Sequence, residues 1–275
     1  MVHRTRVPSG LLFEIPRLRE ILPLMGLGPV SEPAEQEIGL SHLGIIAAVT
    51  AEARTLTKAP IPSGELIYLS GGATLIVSGV GPTRAARTSR ALLESGATAL
   101  LSWGSAGGLA SRVSPGSLIL PKTVIASDRS LYHVDASWHE RLCHRLKGHV
   151  DFHTEPLVES SRVVRTSADK ATLFHETGAV GVDMESGAVA AVAREARVRF
   201  MVVRAVADAA DTTLPESALN AVDEFGRLNF FKLIQGLAKD PTELLALVRI
   251  ARNYRTAKGS LVAVARLVGK DFLIS

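Results

Sequence analysis

The feature that most constrains this chain is a rhythm. From Leu43 onward, short unbroken apolar runs recur, separated by stretches with helical spacing. LGIIAAV (43–49) comes first. ATLIVSG (73–79), TALLSWG (98–104), SLILP (117–121), VVRTS (163–167), AVGVDM (179–184) and FMVVRAVAD (200–208) follow. A strand with one wet face alternates apolar and polar residues, whereas an unbroken run marks a strand covered on both faces. Between runs, Pro82–Glu94 reads as a helix with Pro82 in its first turn, where a missing N–H costs nothing. Ser186–Ala196 reads as another, because Val189, Val192, Ala193 and Ala196 fall at i, i+3, i+4 and i+7. This alternation predicts an α/β fold with a mainly parallel sheet between helical layers. In such sheets ligands sit at the carboxyl ends of the strands, so the residues that follow the runs are the ones to inspect.

Composition removes other classes. The 275 residues can bury a full core, and 47% hydrophobic content is too high for a disordered chain. A lone cysteine, Cys143, excludes a disulfide scaffold and suits a reducing compartment. No apolar run reaches the length of a membrane span. The stretch from Leu11 to Val30 carries Glu14, Arg17, Arg19 and Glu20 and does not read as a signal peptide. The expectation is a soluble cytoplasmic protein. Residues 1–40, interrupted by Pro8, Pro16, Pro23, Pro29 and Pro33, read as an extension that is poorly ordered. Residues 41–236 form the main domain, and 237–275 a basic helical extension. Helices are expected beyond 216, broken near Gly226, Asp240-Pro241 and Gly259. The net charge of +4 comes from the tail alone: Arg249, Arg252, Arg255, Lys258, Arg266 and Lys270 meet no acid, leaving 25 basic against 27 acidic residues elsewhere. That placement argues against a nucleic-acid partner.

Three acids stand just beyond three runs: Glu52, Glu185 and Asp208. A buried carboxylate needs a partner or a task. Capping the next helix is the ordinary task, and Asp183 is the better cap for its helix, which frees Glu185 for a ligand. Gly104-Ser105-Ala106-Gly107-Gly108 reads as a turn that lets backbone approach a ligand. Gly79-Val80-Gly81-Pro82-Thr83-Arg84 resembles a dinucleotide fingerprint, but Arg84 stands where a small residue is needed, so no nicotinamide or flavin is expected. Five histidines lie between 133 and 153. His139 and His144, at i and i+5, point about 140° apart on a helix and cannot share a metal; they read as a solvated face.

The segments GIIAAVTAEA (44–53), SGVG (78–81), GSAGGL (104–109), VDMESGAVA (182–190) and VRAVADAAD (203–211), in this order, resemble the nucleoside phosphorylase and nucleosidase superfamily. The nearest branch is the methylthioadenosine/S-adenosylhomocysteine nucleosidases. The stretch 207–229 with 240–253 is similar to the hopanoid-associated phosphorylases, which are implicated in removing adenine from adenosylhopane. The resemblance implies a three-layer αβα architecture of the phosphorylase/hydrolase-like kind, with a mainly parallel, twisted mixed sheet. It implies cleavage of an N-glycosidic bond and release of adenine. Asp208 would share a proton with the purine N7, and Glu52 would activate a water. Glu185 would grip the ribose hydroxyls with Met184 beside the sugar. Ser105, the N–H groups around Gly104, and Arg204 would lie near the nucleophile. The implied partner is a small nucleoside, here a membrane triterpenoid, handled by a homo-oligomer. No cofactor or metal is implied, although phosphate could be a co-substrate.

Two questions stay open at this level. Phosphorolysis needs cationic or N–H partners for a dianion, yet the first loop reads Ala48-Val49-Thr50-Ala51-Glu52, and Ser102 and Trp103 precede Gly104. Hydrolysis is the simpler reading, with Arg204, Arg84 or Arg87 as the alternative phosphate partners. Residues 241–270 are either helices packed on the domain with a solvated basic face, or an element on a membrane surface. A methylthioadenosine/S-adenosylhomocysteine nucleosidase and a non-catalytic purine-binding module are the rival functions.

Overall fold

The computed structural model describes residues 42–217 except 63, then 223, 225, 243–269, 272 and 274. The chain divides after Leu40, and every described residue lies in the second unit. The expected extension at 1–40, and the breaks near Gly226 and Asp240-Pro241, lie outside the described residues.

Among the described residues, eleven strands form one sheet. The first apolar run becomes β1 (Leu43–Ala47), buried at every position. It runs parallel to β3 (Thr74–Val77) on one side and to β4 (Ala99–Gly108) on the other. Strand β2 (Ile67–Tyr68) closes that edge antiparallel to β3. The last run becomes β11 (Arg199–Asp208), parallel to β4 along its whole length. Beyond them come β5 (Leu118–Ile119), β6 (Thr123–Ile125), β7 (Leu131–His133), β8 (Phe152–His153), β9 (Leu157–Glu159) and β10 (Gly181–Asp183). Parallel pairs dominate, and the antiparallel pairs β2–β3, β4–β10, β5–β11 and β6–β7 make the sheet mixed.

Helices cover both sides, as unbroken apolar strands require. A short α1 (Thr50–Ala53) follows β1, and α2 (Pro82–Glu94) follows β3 with Pro82 at its start. Then come α3 (Ala136–Leu146), α4 (Ser167–Thr177), α5 (Ser186–Glu195) and α6 (Glu243–Val268). Helix α2 packs on α5, and α3 packs on α6. Helix α6 lies against β11 and buries Ala257, Leu261, Val264 and Val268 in the core.

Four sequence expectations are corrected. VVRTS (163–167) is not a strand; it is loop, ending in Thr166, which caps α4 through a bond from the Asp169 N–H. GSAGG (104–108) is not a turn but the second half of β4. Its small residues let β4 continue beneath the bulky side chains that face it. Gly259 does not break α6, which runs on for 26 residues. A Cβ there would meet nothing within 4 Å, so the glycine only lowers helical propensity locally. The histidines of α3 do not share a solvated face: His139 is buried and bonds through Nε2 to the Leu120 carbonyl at 2.9 Å. Cys143 Sγ lies 3.6 Å from the same nitrogen, a packing that the i, i+5 spacing could not reveal.

Candidate active site

The site forms where β1, β4, β10 and β11 end. Glu52, on α1, turns back over the strand ends and is 3% exposed. Its Oε2 accepts from the N–H groups of Ala48 and Val49 at 3.1 and 3.3 Å. Its Oε1 accepts from the Ser105 N–H at 2.8 Å and the Ser105 hydroxyl at 2.7 Å. Four donors hold this carboxylate, and only the hydroxyl can rotate away. Gly104 makes the arrangement possible. A Cβ there would lie 2.6 Å from Arg204 Nη1 and 2.7 Å from Glu52 Oε2, closer than real side chains approach.

Arg204, from the middle of β11, is 2% exposed and is the hub beneath the strand ends. Its Nε donates to Asp183 Oδ2 at 2.7 Å, and its Nη2 donates to Ser102 Oγ at 2.8 Å and Ser186 Oγ at 3.2 Å. Burial opposes its charge, but Asp183, Glu185 and Glu52 outweigh that and hold the guanidinium charged. Asp183 also accepts from the N–H groups of Glu185 and Ser186 at 3.4 and 3.3 Å, but it stands two residues before the N-cap of α5, which is Glu185 and makes no side-chain capping bond. Glu185 is left to face the loop after β3. Its Oε1 accepts from the Gly81 N–H at 2.9 Å, and its Oε2 lies 3.8 Å from Arg204 Nη2. Gly81 adopts φ +106°, which an L side chain rarely tolerates, and this turns its N–H toward the carboxylate. Burial, reinforced by the charge of Asp183 and opposed by Arg204, pushes Glu185 up to about 8.

Asp208 closes the site at the end of β11. The ladder with β4 slips between Val206 and Asp208, setting Asp208 opposite Gly107. A bulge of this kind re-aims a side chain at a strand end. A Cβ on Gly107 would lie 3.4 Å from Oδ2, at ordinary contact distance. Behind Asp208 stands Lys170 of α4, wholly enclosed, donating to Asp208 Oδ2, to the Ala209 carbonyl at 2.8 Å and to the Thr212 carbonyl at 2.9 Å. Burial pushes the Asp208 carboxyl up, and Lys170 pulls against it.

A cavity of about 390 Å³ unites these groups: Glu52, Asp183, Glu185 and Asp208 all line it, with Ser105, Gly107 and Met184 between them. Val163, Val164, Leu214 and Tyr254 give it an apolar wall. The model of the phosphorylase superfamily matches residues 43–230. The chain belongs to the phosphorylase superfamily. It is therefore an enzyme of the nucleoside phosphorylase and nucleosidase class, which acts on N-ribosyl bonds.

Solved structures share this superfamily fold. The 5′-methylthioadenosine/S-adenosylhomocysteine nucleosidase of Helicobacter pylori, with butyl-thio-DADMe-Immucillin-A, superposes at a TM-score of 0.59 with 17% identity, over 83% of this chain and 99% of that one. Futalosine hydrolase of the same organism gives 0.58 and 17%, over 82% and 98%. The methylthioadenosine nucleosidase of S. pneumoniae, with the transition-state inhibitor MT-ImmA, gives 0.59 and 16%, over 83% and 100%. At such identities the likeness is one of fold. No curated protein matches the chain.

The sequence named Glu52, Ser105, Met184, Glu185 and Asp208, and the fold brings all five to one cavity. Gly104 lies just beneath it, and Arg204 is the buried hub described above. Lys170, Asp183 in its ion pair, and Tyr254 were not foreseen as parts of this site. Lys170 stands alone between Asp169 and Ala171 in a polar helix start, and nothing local marks it as buried. Among the described residues, no cluster is suited to hold a metal ion.

Proposed function

We propose that this enzyme hydrolyses the N-glycosidic bond of a 5′-substituted adenosine and releases adenine, and that its natural substrate is adenosylhopane. The observation that carries the reading is the convergence of Glu52, Glu185 and Asp208 on one cavity from three separate strand ends. Leaving-group departure gives the ribosyl ring oxocarbenium character and puts an electron pair on the purine. Asp208 meets that pair with a proton at N7, a form of general acid help worth roughly 10²–10⁴-fold. Its upward shift by burial keeps the proton available. Glu185 accepts from the ribose hydroxyls and orients the sugar, with Met184 packed beside it. Glu52 takes a proton from the attacking water after the Ser105 hydroxyl rotates away.

Hydrolysis is favoured over phosphorolysis by the cradle at the first loop. The N–H groups of Ala48, Val49 and Ser105 are the donors that could hold an anion, and the Glu52 carboxylate already occupies them. A phosphate dianion placed there meets a negative charge. Arg204 is committed to Asp183, Ser102 and Ser186.

The apolar wall of Val163, Val164, Leu214 and Tyr254 supports a large 5′-substituent. Helix α6 carries Tyr254 at the cavity and Leu244, Leu245 and Val248 exposed toward its N-terminus. With Arg249, Arg252 and Arg255 exposed beside them, this part of 241–270 suits contact with an anionic membrane surface. The second reading is a 5′-methylthioadenosine/S-adenosylhomocysteine nucleosidase, favoured by the substrate named for most of the solved relatives. Adenine release from adenosylhopane and from methylthioadenosine, each with and without phosphate, decides between them. The proposal expects faster release from adenosylhopane and no phosphate dependence. Preference for methylthioadenosine selects the second reading, and phosphate-dependent release with a ribose 1-phosphate product overturns hydrolysis.

A further inference from the structure

Lys170 is the most deeply buried cation next to the site, and it does not line the cavity; it stands behind Asp208. An ammonium has three N–H donors, and Lys170 faces three acceptors: Asp208 Oδ2 and the carbonyls of Ala209 and Thr212. A neutral amine has two N–H groups and would leave one buried acceptor without a donor. The three N–H groups of the ammonium match these three acceptors one for one. Helix α4 delivers it there because Thr166 caps the helix start, setting Lys170 on the inward side of the first turn. The two carbonyls belong to the segment just after β11, so the same ammonium ties Asp208 and the following backbone into one unit.

The chemistry gives this contact a direction. As the C1′–N9 bond breaks, its electron pair passes to the purine, a proton leaves the Asp208 carboxyl for N7, and Asp208 becomes a carboxylate. The water that attacks C1′ gives its proton to Glu52, and exchange with solvent resets both groups. Before the step Lys170 faces a neutral acid; after it, a carboxylate. The attraction is stronger in the second state, which is the condition for a contact to speed the step rather than merely tighten binding.

We propose that Lys170 is a positioning residue of the reaction, whose ammonium fixes the Asp208 carboxyl against the base and stabilises the negative charge that Asp208 acquires as it gives up its proton. The inference rests on the reading of Asp208 as the acid. The other charged groups around the pair are Glu52, Asp183, Glu185 and Arg162 on the cavity wall. Asp169, next on α4, is bonded to Thr166, and Arg249 of α6 reaches Asp211 and Thr212. Among the described residues, Lys170 is the charged side chain paired with Asp208.

The test is the pH dependence of adenine release from methylthioadenosine by the wild type, Lys170→Met and Lys170→Arg. Activity needs protonated Asp208 and is lost as pH rises. Without the ammonium Asp208 is a weaker acid, so Lys170→Met lowers kcat by about tenfold or more while moving the alkaline limb upward by about 1–3 pH units. KM changes far less, and Lys170→Arg keeps the limb near its wild-type place. An alkaline limb that stays put in Lys170→Met overturns the proposal. Should that variant not fold, NMR titration of the Asp208 carboxyl in the wild type and in Lys170→Gln decides. The carboxyl is expected to titrate at higher pH in Lys170→Gln than in the wild type, and an unchanged midpoint overturns the proposal. If the wild type releases no adenine from any nucleoside, that titration still reports on the pair, so the two readings fail separately.

Discussion

At the residue scale, two buried acids are tuned in ways that set opposite demands on pH. Asp208 works as an acid and must hold its proton; Glu185 works as an acceptor and must lose its own. Nucleoside binding to Glu185 is therefore accompanied by proton release, so affinity for a ribose cis-diol is expected to rise with pH up to about 8 and then level off. Calorimetric titration in buffers of different ionisation heat measures that proton. The same shift bears on stability. The folded value lies above the unfolded one, so this contribution is full below the ordinary carboxylate range, declines as pH rises, and is lost through about 8. Thermal unfolding of the ligand-free enzyme should show a melting point that falls across this window, and Glu185→Gln should flatten that part of the curve. Asp208→Asn should lower kcat by roughly 10²–10⁴-fold with nucleoside binding retained, as read by equilibrium binding of a non-hydrolysed analogue. Asp208 and Glu185 were legible as acids following apolar runs. Lys170 was not, because its partners arrive from 38 to 42 residues away along the chain.

At the element scale, the site depends on strands that tolerate crowding. The glycines of β4 were read as a turn because glycine in a row usually breaks regular structure. They sit in a strand because side chains from β11 and α1 occupy the volume their own would fill. Gly104→Ala is the sharp test: its methyl would collide with Arg204 and Glu52 together. Overpacking of this kind costs about 1–3 kcal/mol, and displacement of Glu52 should remove activity even where denaturant melts show a folded protein. VVRTS failed as a strand for the complementary reason. Its Val163 and Val164 are spent on the cavity wall, and Thr166 is spent on capping α4. Helix α6 shows the limit of reading breaks from glycine. The burial of Leu261 and Val264 in the core outweighs a propensity loss of about 1 kcal/mol at Gly259. Leu261→Ala should cost about 2–5 kcal/mol in urea unfolding.

At the scale of the whole molecule, α6 joins the catalytic fold to the basic surplus of the chain. Its second half is core, so removing the tail would damage the fold as well as any surface contact. Charge reversal is the cleaner experiment. Arg252→Glu with Arg255→Glu should weaken co-sedimentation with anionic vesicles by about 1 kcal/mol for each basic residue lost, with methylthioadenosine cleavage unchanged; equal partition of variant and wild type would remove the membrane proposal. What the sequence by itself determined is the order of layers, because unbroken apolar runs must be covered on both sides whatever their neighbours. It also marked the strand ends where acids gather. Only the tertiary structure decided which acid meets which partner. Glu52 with Ser105, Asp183 with Arg204, and Asp208 with Lys170 are joined across 53, 21 and 38 residues. Hydrophobic patterning is a local property of the chain, whereas charge pairing in a low-dielectric interior exists only once the chain has closed around it.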